Sequence, residues 1–343
     1  MSVETGITAK ATQDYDKRSA DPLGFEPPKS TIVLVTPRRW HNRAEWETEH
    51  RARRFWRDVR ALDADSLHQW LETAPVVHLW FSRLIGKYPM AAGELDDWWA
   101  NWSQETKPHL TADLILAGRE SKLDALHNWF GSTASVVTLQ ADSRAEAISV
   151  VCAFVNKLPT SERLPILSRA AIVNDSGAWN QLVASQSPLF LISNFDNTQD
   201  SFIGDAIRHG HSVLVPRGNA DAPSKNTLRV ARITRVQAGQ ALQAMGIGEE
   251  RVDELTGVAR RSLTALRRKL AISPAIQEPK WGKPEHARAL IPMLLVGRWR
   301  DNCEGDREAL AEISSSSYDA VQVTSIRWKN EDDPPFRQVG GCW

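Results

Sequence analysis

The chain has 343 residues, 42 Lys+Arg balanced by 42 Asp+Glu, and a pI near 7. Zero net charge excludes a globally basic nucleic-acid coat and an acidic tail, and leaves room only for a local charged patch. Three isolated cysteines, Cys152, Cys303 and Cys342, supply neither a disulfide framework nor a tetrahedral zinc site, while 14 Trp against 3 Tyr mean many amphipathic rings to place.

The opening MSVETGITAKATQDYDKR lacks the apolar stretch of a signal peptide. The longest apolar runs, such as Ile291–Val296, fall far short of the roughly 20 residues of a membrane span. The expectation is a cytoplasmic, reducing setting without membrane contact. Residues 31–35 (TIVLV), bracketed by prolines, read as a buried strand. A polar helix from Arg43 to Trp56 follows, then a short strand Asp58–Leu62. Asp65 reads as the N-cap of a helix Ser66–Glu72, and Pro75 opens another over Val76–Ile85. Residues 86–112 read as a connector with one short Trp-rich helix.

From Gly118 the pattern alternates. Helix Lys122–Phe130, strand Ser135–Gln140, helix Ala145–Asn156, strand Ala170–Asn174, helix Ala178–Ala184, strand Leu189–Ser193, helix Phe202–His209 and strand Ser212–Val215 imply crossovers onto a parallel sheet. From Arg235 only helices follow: Val236–Met245, Glu249–Ala259 and Ser262–Leu270. After Pro274 and Pro279 come helices Pro284–Val296, Asp306–Ile313 and Tyr318–Trp328, then an extended Phe336–Val339. Three helices and a strand are the order of a winged helix. The second wing strand would begin where the chain stops, leaving an unpaired edge and Trp343 without packing.

Several groups carry chemistry. Glu4 and Lys10, near Asp14 and Lys17, are the acid and amine a Mg²⁺-dependent nuclease needs, but the spacing lacks a second fixed acid; the plain alternative is a polar, frayed terminus. Arg38, Arg39 and Trp40 in TPRRW suit a phosphate clamp with a base-stacking ring. Against that stands a core Trp with its arginines paired to Glu45 or Glu47. At Ala141–Arg144, where an NTPase carries GxxxxGK[ST], there is neither glycine nor lysine. Asp142, Ser143 and Arg144 fill the turn, and Ser143 with Glu146 reads as a capping box. Asp175 stands where a Mg²⁺-holding acid would lie and Asn194 where a γ-phosphate sensor would, although both suit ordinary Asx turns. Arg260, Arg261, Arg267, Arg268 and Lys269 are the five cations of a basic amphipathic helix able to touch a nucleic-acid backbone, the plain alternative being a solvated helix face. His209 and His211 form an HxH pair without a third ligand, read as a surface turn.

The segments VETG…KATQDYDKR, TIVLVTPRRW and WRDVRALDADSLHQWLETAPVVHLW resemble the end of the restriction-endonuclease-like domain of large bacterial multidomain proteins. There such a domain precedes a divergent P-loop NTPase of the AAA or signal-transduction type and a winged helix. The resemblance continues through LAGRESKLDALHNWF and ADSRAEAISV to DPPFRQVGGCW. It implies an α/β fold: a parallel-sheet NTPase-like core with a helical lid, preceded by a partial restriction-nuclease-like unit and followed by an incomplete winged helix. The layout expected is 1–85 for the nuclease-like unit, 86–112 for the connector, 113–234 for the NTPase-like core, 235–273 for the lid and 274–343 for the winged helix. The role expected is a catalytically incomplete regulatory or binding module of a defence-type nuclease system, a truncated relative of longer proteins. Its partners would be DNA, another protein or a second copy. ATP and Mg²⁺ enter only under two rivals: an NTPase with a non-standard phosphate loop, or an endonuclease completed by a partner chain.

Overall fold

The computed structural model describes residues 3–195, 200–218, 227–329, 334–336, 338 and 341–343, with the side chains at 3–5 and 122 outside that description. The chain divides into two units, Met1–His78 and Leu79–Trp343.

In the first unit, α1 (Val3–Ala20) is one helix of 18 residues. Strands β1 (Thr31–Val35) and β2 (Asp58–Leu62) pair in parallel, Thr31 opposite Asp58 and Val35 opposite Leu62, with α2 (Arg43–Ala52) between them in sequence. Three indole N–H groups reach hydroxyls on α1: Trp40 to Thr8 at 2.9 Å, Trp46 to Thr12 at 3.0 Å and Trp56 to Ser19 at 2.9 Å. Spacings of four and seven put Thr8, Thr12 and Ser19 on one helix face. A buried indole needs an acceptor for its one donor, so these bonds anchor a helix that composition alone reads as frayed. β1 is covered on one face: Ile32 is buried while Val33 and Val35 are exposed. Helix α3 (Ala64–Thr73) is capped by Asp63, two residues before the expected Asp65; Asp63 accepts from the Ser66 N–H at 3.1 Å. Burial alone would raise the Asp63 carboxyl, but the Ser66 and Trp40 N–H groups bring it below the usual carboxylate range. Pro75 opens α4 (Pro75–Leu84).

The second unit carries, in chain order, β3 (Ala92–Glu94), α5 (Leu95–Gln104), α6 (Ala112–Leu116), α7 (Glu120–Gly131), β4 (Val136–Gln140), α8 (Arg144–Lys157), α9 (Thr160–Leu167), β5 (Ala170–Val173), α10 (Ser176–Val183), β6 (Phe190–Ser193), α11 (Asp200–Arg208), β7 (Ser212–Arg217) and β8 (Thr227–Arg229). Among the described residues these six strands form one sheet in the order β3-β5-β6-β7-β4-β8, parallel throughout except for the antiparallel edge β3. Counted from β4, the parallel strands therefore lie fifth, first, fourth, third, second. β5 and β6 are buried at every residue, as central strands covered on both faces must be. Helix α8 is buried without a break from Glu146 to Val155, and a helix apolar on all sides belongs at the centre of a core.

Residues 86–112 are more than a connector. They supply the edge strand β3, and Leu95, Trp102 and Leu110 enter the same apolar cluster as Ile148. Helices α12 (Arg235–Ala244), α13 (Glu249–Arg261) and α14 (Leu263–Leu270) join that cluster through Leu242, Leu255, Leu263 and Leu266. The short α15 (Pro274–Gln277) leads to α16 (Pro284–Val296), α17 (Glu304–Ser314) and α18 (Tyr318–Lys329), which close a separate core. The mixed α/β architecture is mostly helical around a largely parallel sheet.

The end of the chain departs from the expected loose wing. Of the strand expected at Phe336–Val339, residues 337 and 339 lie outside the described residues. Trp343 is buried: its backbone exchanges hydrogen bonds with Trp299 at 2.8 and 3.2 Å, and the two rings stack at 5.9 Å. Its indole N–H donates to both Asp301 oxygens at 3.0 and 3.1 Å. Asp301 also takes the Tyr318 hydroxyl, and burial followed by that carboxylate pushes the phenol up to about 12. The tail is thus an integral part of this core. Trp343→Ala should destabilise the chain by about 3–5 kcal/mol, read as a lowered denaturation midpoint; an unchanged midpoint would mean the tail is dispensable.

Candidate functional site

Residues 141–144 join β4 to the N-terminus of α8, at the carboxyl end of a parallel sheet. Ligands of open α/β sheets sit at such ends, and helix N-termini favour anions. Here the chain's own side chains occupy the turn. Ser143 caps α8, its Oγ accepting from the Glu146 N–H at 3.1 Å, and lies 3.0 Å from Thr264 Oγ1 on α14. Asp142, its side chain only 6% exposed, receives Arg232 through three N–H···O contacts of 2.9, 3.0 and 3.1 Å. That carboxylate holds the Arg232 guanidinium above its usual range. Arg144 is the first residue of α8 and is engaged within the chain.

The expected capping box is half present. The Glu146 carboxylate turns inward to Arg119, and both side chains are almost fully buried. Arg119 also donates to the carbonyls of Ile115 and Ala231, each at 2.9 Å. Burial raises the Glu146 carboxyl, and the Arg119 guanidinium offsets only part of that. Removing one partner of a buried pair leaves a charge with nothing to neutralise it. Glu146→Ala should therefore cost about 3–5 kcal/mol in chemical denaturation, with Glu146→Gln costing less because it keeps an acceptor for Arg119. Equal, small losses from both would mean the pair is not a structural centre.

The other expected nucleotide residues lie away from this turn. β6 is two strands and β5 three strands from β4, which at strand spacing is roughly 10 and 14 Å. Asp175, at the end of β5, caps α10 by accepting from the Ala178 N–H at 2.7 Å. Asn194, after β6, donates to Asn174 at 2.8 Å. Both make Asx-type local bonds, and neither meets Asp142.

In the first unit, Glu4 and Lys10 share α1, with no strand between them. Six residues apart, they are about 9 Å along the axis and about 120° around it. Lys10 pairs with Asp14 at 2.8 Å; the Glu4 side chain lies outside the described residues. Trp40 is in the core, so its ring cannot stack on a base. Arg39 pairs with Asp65 at 3.0 Å instead of Glu45 or Glu47. Arg38 uses its backbone, its N–H reaching Thr36 Oγ1 and its carbonyl accepting from Ala64.

The basic run is two helices, broken at Ser262, whose extended backbone ends α13 and whose side chain caps α14. The cations then meet different surroundings. Arg267 donates to the Trp102 carbonyl at 2.8 Å, pairs with Glu105 and stacks over the Trp102 ring at 5.6 Å. Arg261 and Arg268 instead line a groove of about 900 Å³ with Arg232, Lys269 and Trp281. Arg232, Arg119 and Thr264 were not singled out from sequence; each meets a partner far along the chain, Asp142, Ala231 and Ser143 respectively.

His211 is not on the surface. Its Nδ1 accepts from the Leu189 N–H at 3.1 Å and its Nε2 lies 3.0 Å from the Val183 carbonyl, which fixes a neutral ring protonated at Nε2. Burial lowers its pKa. The unfolded chain then binds more protons than the folded one below about pH 6.5. Stability should fall as pH drops through that value toward the lowered folded pKa, and His211→Asn should flatten this part of a melting-temperature profile. A wild-type profile already flat between pH 7 and 5 would contradict the assignment.

Among the described residues, no group of three His, Cys, Asp or Glu side chains could hold a metal ion, and no helix is long and apolar enough to cross a membrane. No protein-family model and no curated protein matches the chain. Among solved structures, it is similar to "Structure of Rhizobiales Trip13" at 14% identity and a TM-score of 0.25, over 64% of this chain and 89% of that one. It is also similar to a chain of the E. coli MS115-1 HORMA:CdnC:Trip13 complex at 11% identity and a TM-score of 0.23, over 59% and 89%. At such scores the likeness fixes neither fold nor function.

Proposed function

We propose that the chain is a binding or regulatory module whose second unit has a P-loop-NTPase-like core that does not turn nucleotide over. Two features support the core assignment. A strand, β7, intervenes between the phosphate-loop strand β4 and the third strand β6, as in the NTPases the sequence resembles. Three helices then follow β8 and pack back on the same core, in the place of a lid. The observation that carries the lack of turnover is the bidentate Arg232–Asp142 pair at the turn. A γ-phosphate needs backbone N–H groups, a lysine and a Mg²⁺-holding hydroxyl at this point. Here a carboxylate projects into it, the Ser143 hydroxyl is committed to the helix cap and Thr264, and the turn has no lysine.

The nuclease reading finds no support in α1, which places Glu4 and Lys10 on a helix without a second fixed acid. The expected layout 1–85, 86–112, 113–234, 235–273 and 274–343, with a winged helix at the end and a macromolecular partner, is kept as part of this proposal. Steady-state hydrolysis of ATP and GTP with Mg²⁺ should stay at the buffer rate. Magnesium-dependent turnover that disappears in Asp142→Asn protein would overturn the reading and promote the NTPase rival.

A further inference from the structure

The two edges of the sheet in the first unit differ. In a parallel pair each strand turns the N–H and C=O groups of alternate residues toward its neighbour and the others away. The Thr36 N–H reaches the Leu62 carbonyl at 2.9 Å, which places the even-numbered residues of β1 and β2 between the strands. The outward residues are therefore Val59 and Ala61 on β2, and Thr31, Val33 and Val35 on β1. Side chains close the β2 edge. The Ala61 N–H donates to Glu47 Oε1 at 2.5 Å and the Val59 N–H to Asp58 Oδ1 at 2.9 Å. The Val59 carbonyl accepts from Arg51 at 2.8 Å and the Ala61 carbonyl from Arg43 at 3.4 Å. Nothing does the same for β1: among the described residues, its outward N–H and C=O groups have no hydrogen-bond partner. Its valines are open as well, Val33 at 46% and Val35 at 60% exposure, on the face away from buried Ile32.

An open strand edge is a template for another strand, and this edge is self-complementary. We infer that β1 pairs with β1 of a second copy of the chain, antiparallel about a two-fold axis at Val33, joining two two-stranded sheets into one of four strands. In that register Val33 faces its own copy and Thr31 faces the partner's Val35. Every outward residue thus meets an outward residue, the type of antiparallel pair that exchanges both backbone bonds, and the two-fold repeats each contact. The paired segment, Thr31-Ile-Val-Leu-Val35, buries no charge, lacks Gly and Pro, and is β-branched at all but one position. The antiparallel sense also sets Arg38 and Arg39 at opposite ends of the joined strands. A parallel copy would bring each arginine beside its own copy, where like charges oppose the contact. The inference rests on the reading of the chain as a binding module and names a second copy as its partner. Its failure would leave the hydrolysis result untouched.

The test is analytical ultracentrifugation of the full chain over a range of concentrations, each variant first checked by its melt. The wild type should pass from monomer to dimer as concentration rises. Val33→Lys sets two ammonium groups opposite each other at the axis and should raise the dissociation constant about tenfold or more. Val35→Lys should weaken the dimer too, since edge lysines oppose strand pairing. Val323→Lys, the same change at an exposed position of α18, should leave association unchanged. The register is read by cross-linking with a short bismaleimide in protein carrying Cys303→Ser and Cys342→Ser. On that background Val33→Cys, about 5.5 Å from its own copy, should link. Val35→Cys, about 14 Å from its own copy, should not. If Val33→Lys does not fold, Val35→Lys and the cross-links carry the test. A monomer at every concentration, a dimer indifferent to both lysines, or one that links through Val35→Cys and not Val33→Cys would each overturn the inference. ATP hydrolysis measured on the same samples reports on the turn at 141–144 alone, so the two readings fail separately.

Discussion

A helix buried from Glu146 to Val155 cannot leave the N–H groups of its first turn to water, and most of the arrangement around the sheet follows from this. Four N–H groups at a helix start lack intrahelical partners and must find them nearby. In an active phosphate-binding protein the ligand is one of those partners. Here Ser143 serves as the cap, and its hydroxyl is tied in turn to Thr264 on α14. Asp142 brings negative charge to the positive end of the helix dipole, and Arg232 balances it from the segment after β8. Both contacts hold α12–α14 against the turn.

Burying α8 to its first turn has a second consequence. Glu146 lies where a capping box would point it back toward solvent, yet the packing leaves it no water to reach. It pairs with Arg119, which spends its remaining donors on the carbonyls of Ile115 and Ala231. One guanidinium thus links the end of α6, the start of α8 and the segment between β8 and α12. Such a pair is weak evidence for net stability, because desolvation opposes the attraction. Its clearer effect is to fix how three segments meet.

The tryptophans obey the same accounting of donors. Trp40, Trp46 and Trp56 each find a hydroxyl on α1, and Trp343 finds Asp301. Trp179 is an exception, fully buried with its Nε1 unpaired. What was legible in the sequence divides along this line. Periodic features came through: β1, β2, the alternation from β4 to β7 and helices α12–α14 follow from apolar runs, Gly and Pro punctuation and caps. Features that depend on distant partners did not. β3 and β8 have three residues each and exist only because β5 and β4 offer them an edge. Helix α9 carries Pro165 inside it, a signal that argues for a break. Asp63 and Asp65 are both competent caps by residue type, and the choice falls to Asp63 because it also holds the Trp40 N–H. His209 and His211 look alike in sequence, but only His211 begins at a strand edge, where Leu189 and Val183 close around it.

The candidate site was legible in what it lacks and illegible in what replaced it. The missing glycine and lysine at 141–144 can be read directly. The replacement draws on Arg232 and Thr264, which lie 90 and 121 residues away in the chain. Once those partners are in place, the cations of α13, α14 and the segment before α12 are no longer one set. Arg267 goes to Glu105 and the Trp102 ring, Arg232 to Asp142 and Lys269 to Glu254, while Arg261 and Arg268 line one groove with Lys269. Arg267 and Arg268 share α14 and diverge because consecutive helix positions lie 100° apart. The strand-to-helix turn is thus neutralised from within the chain, and none of residues 141–144 lines the groove beside α14.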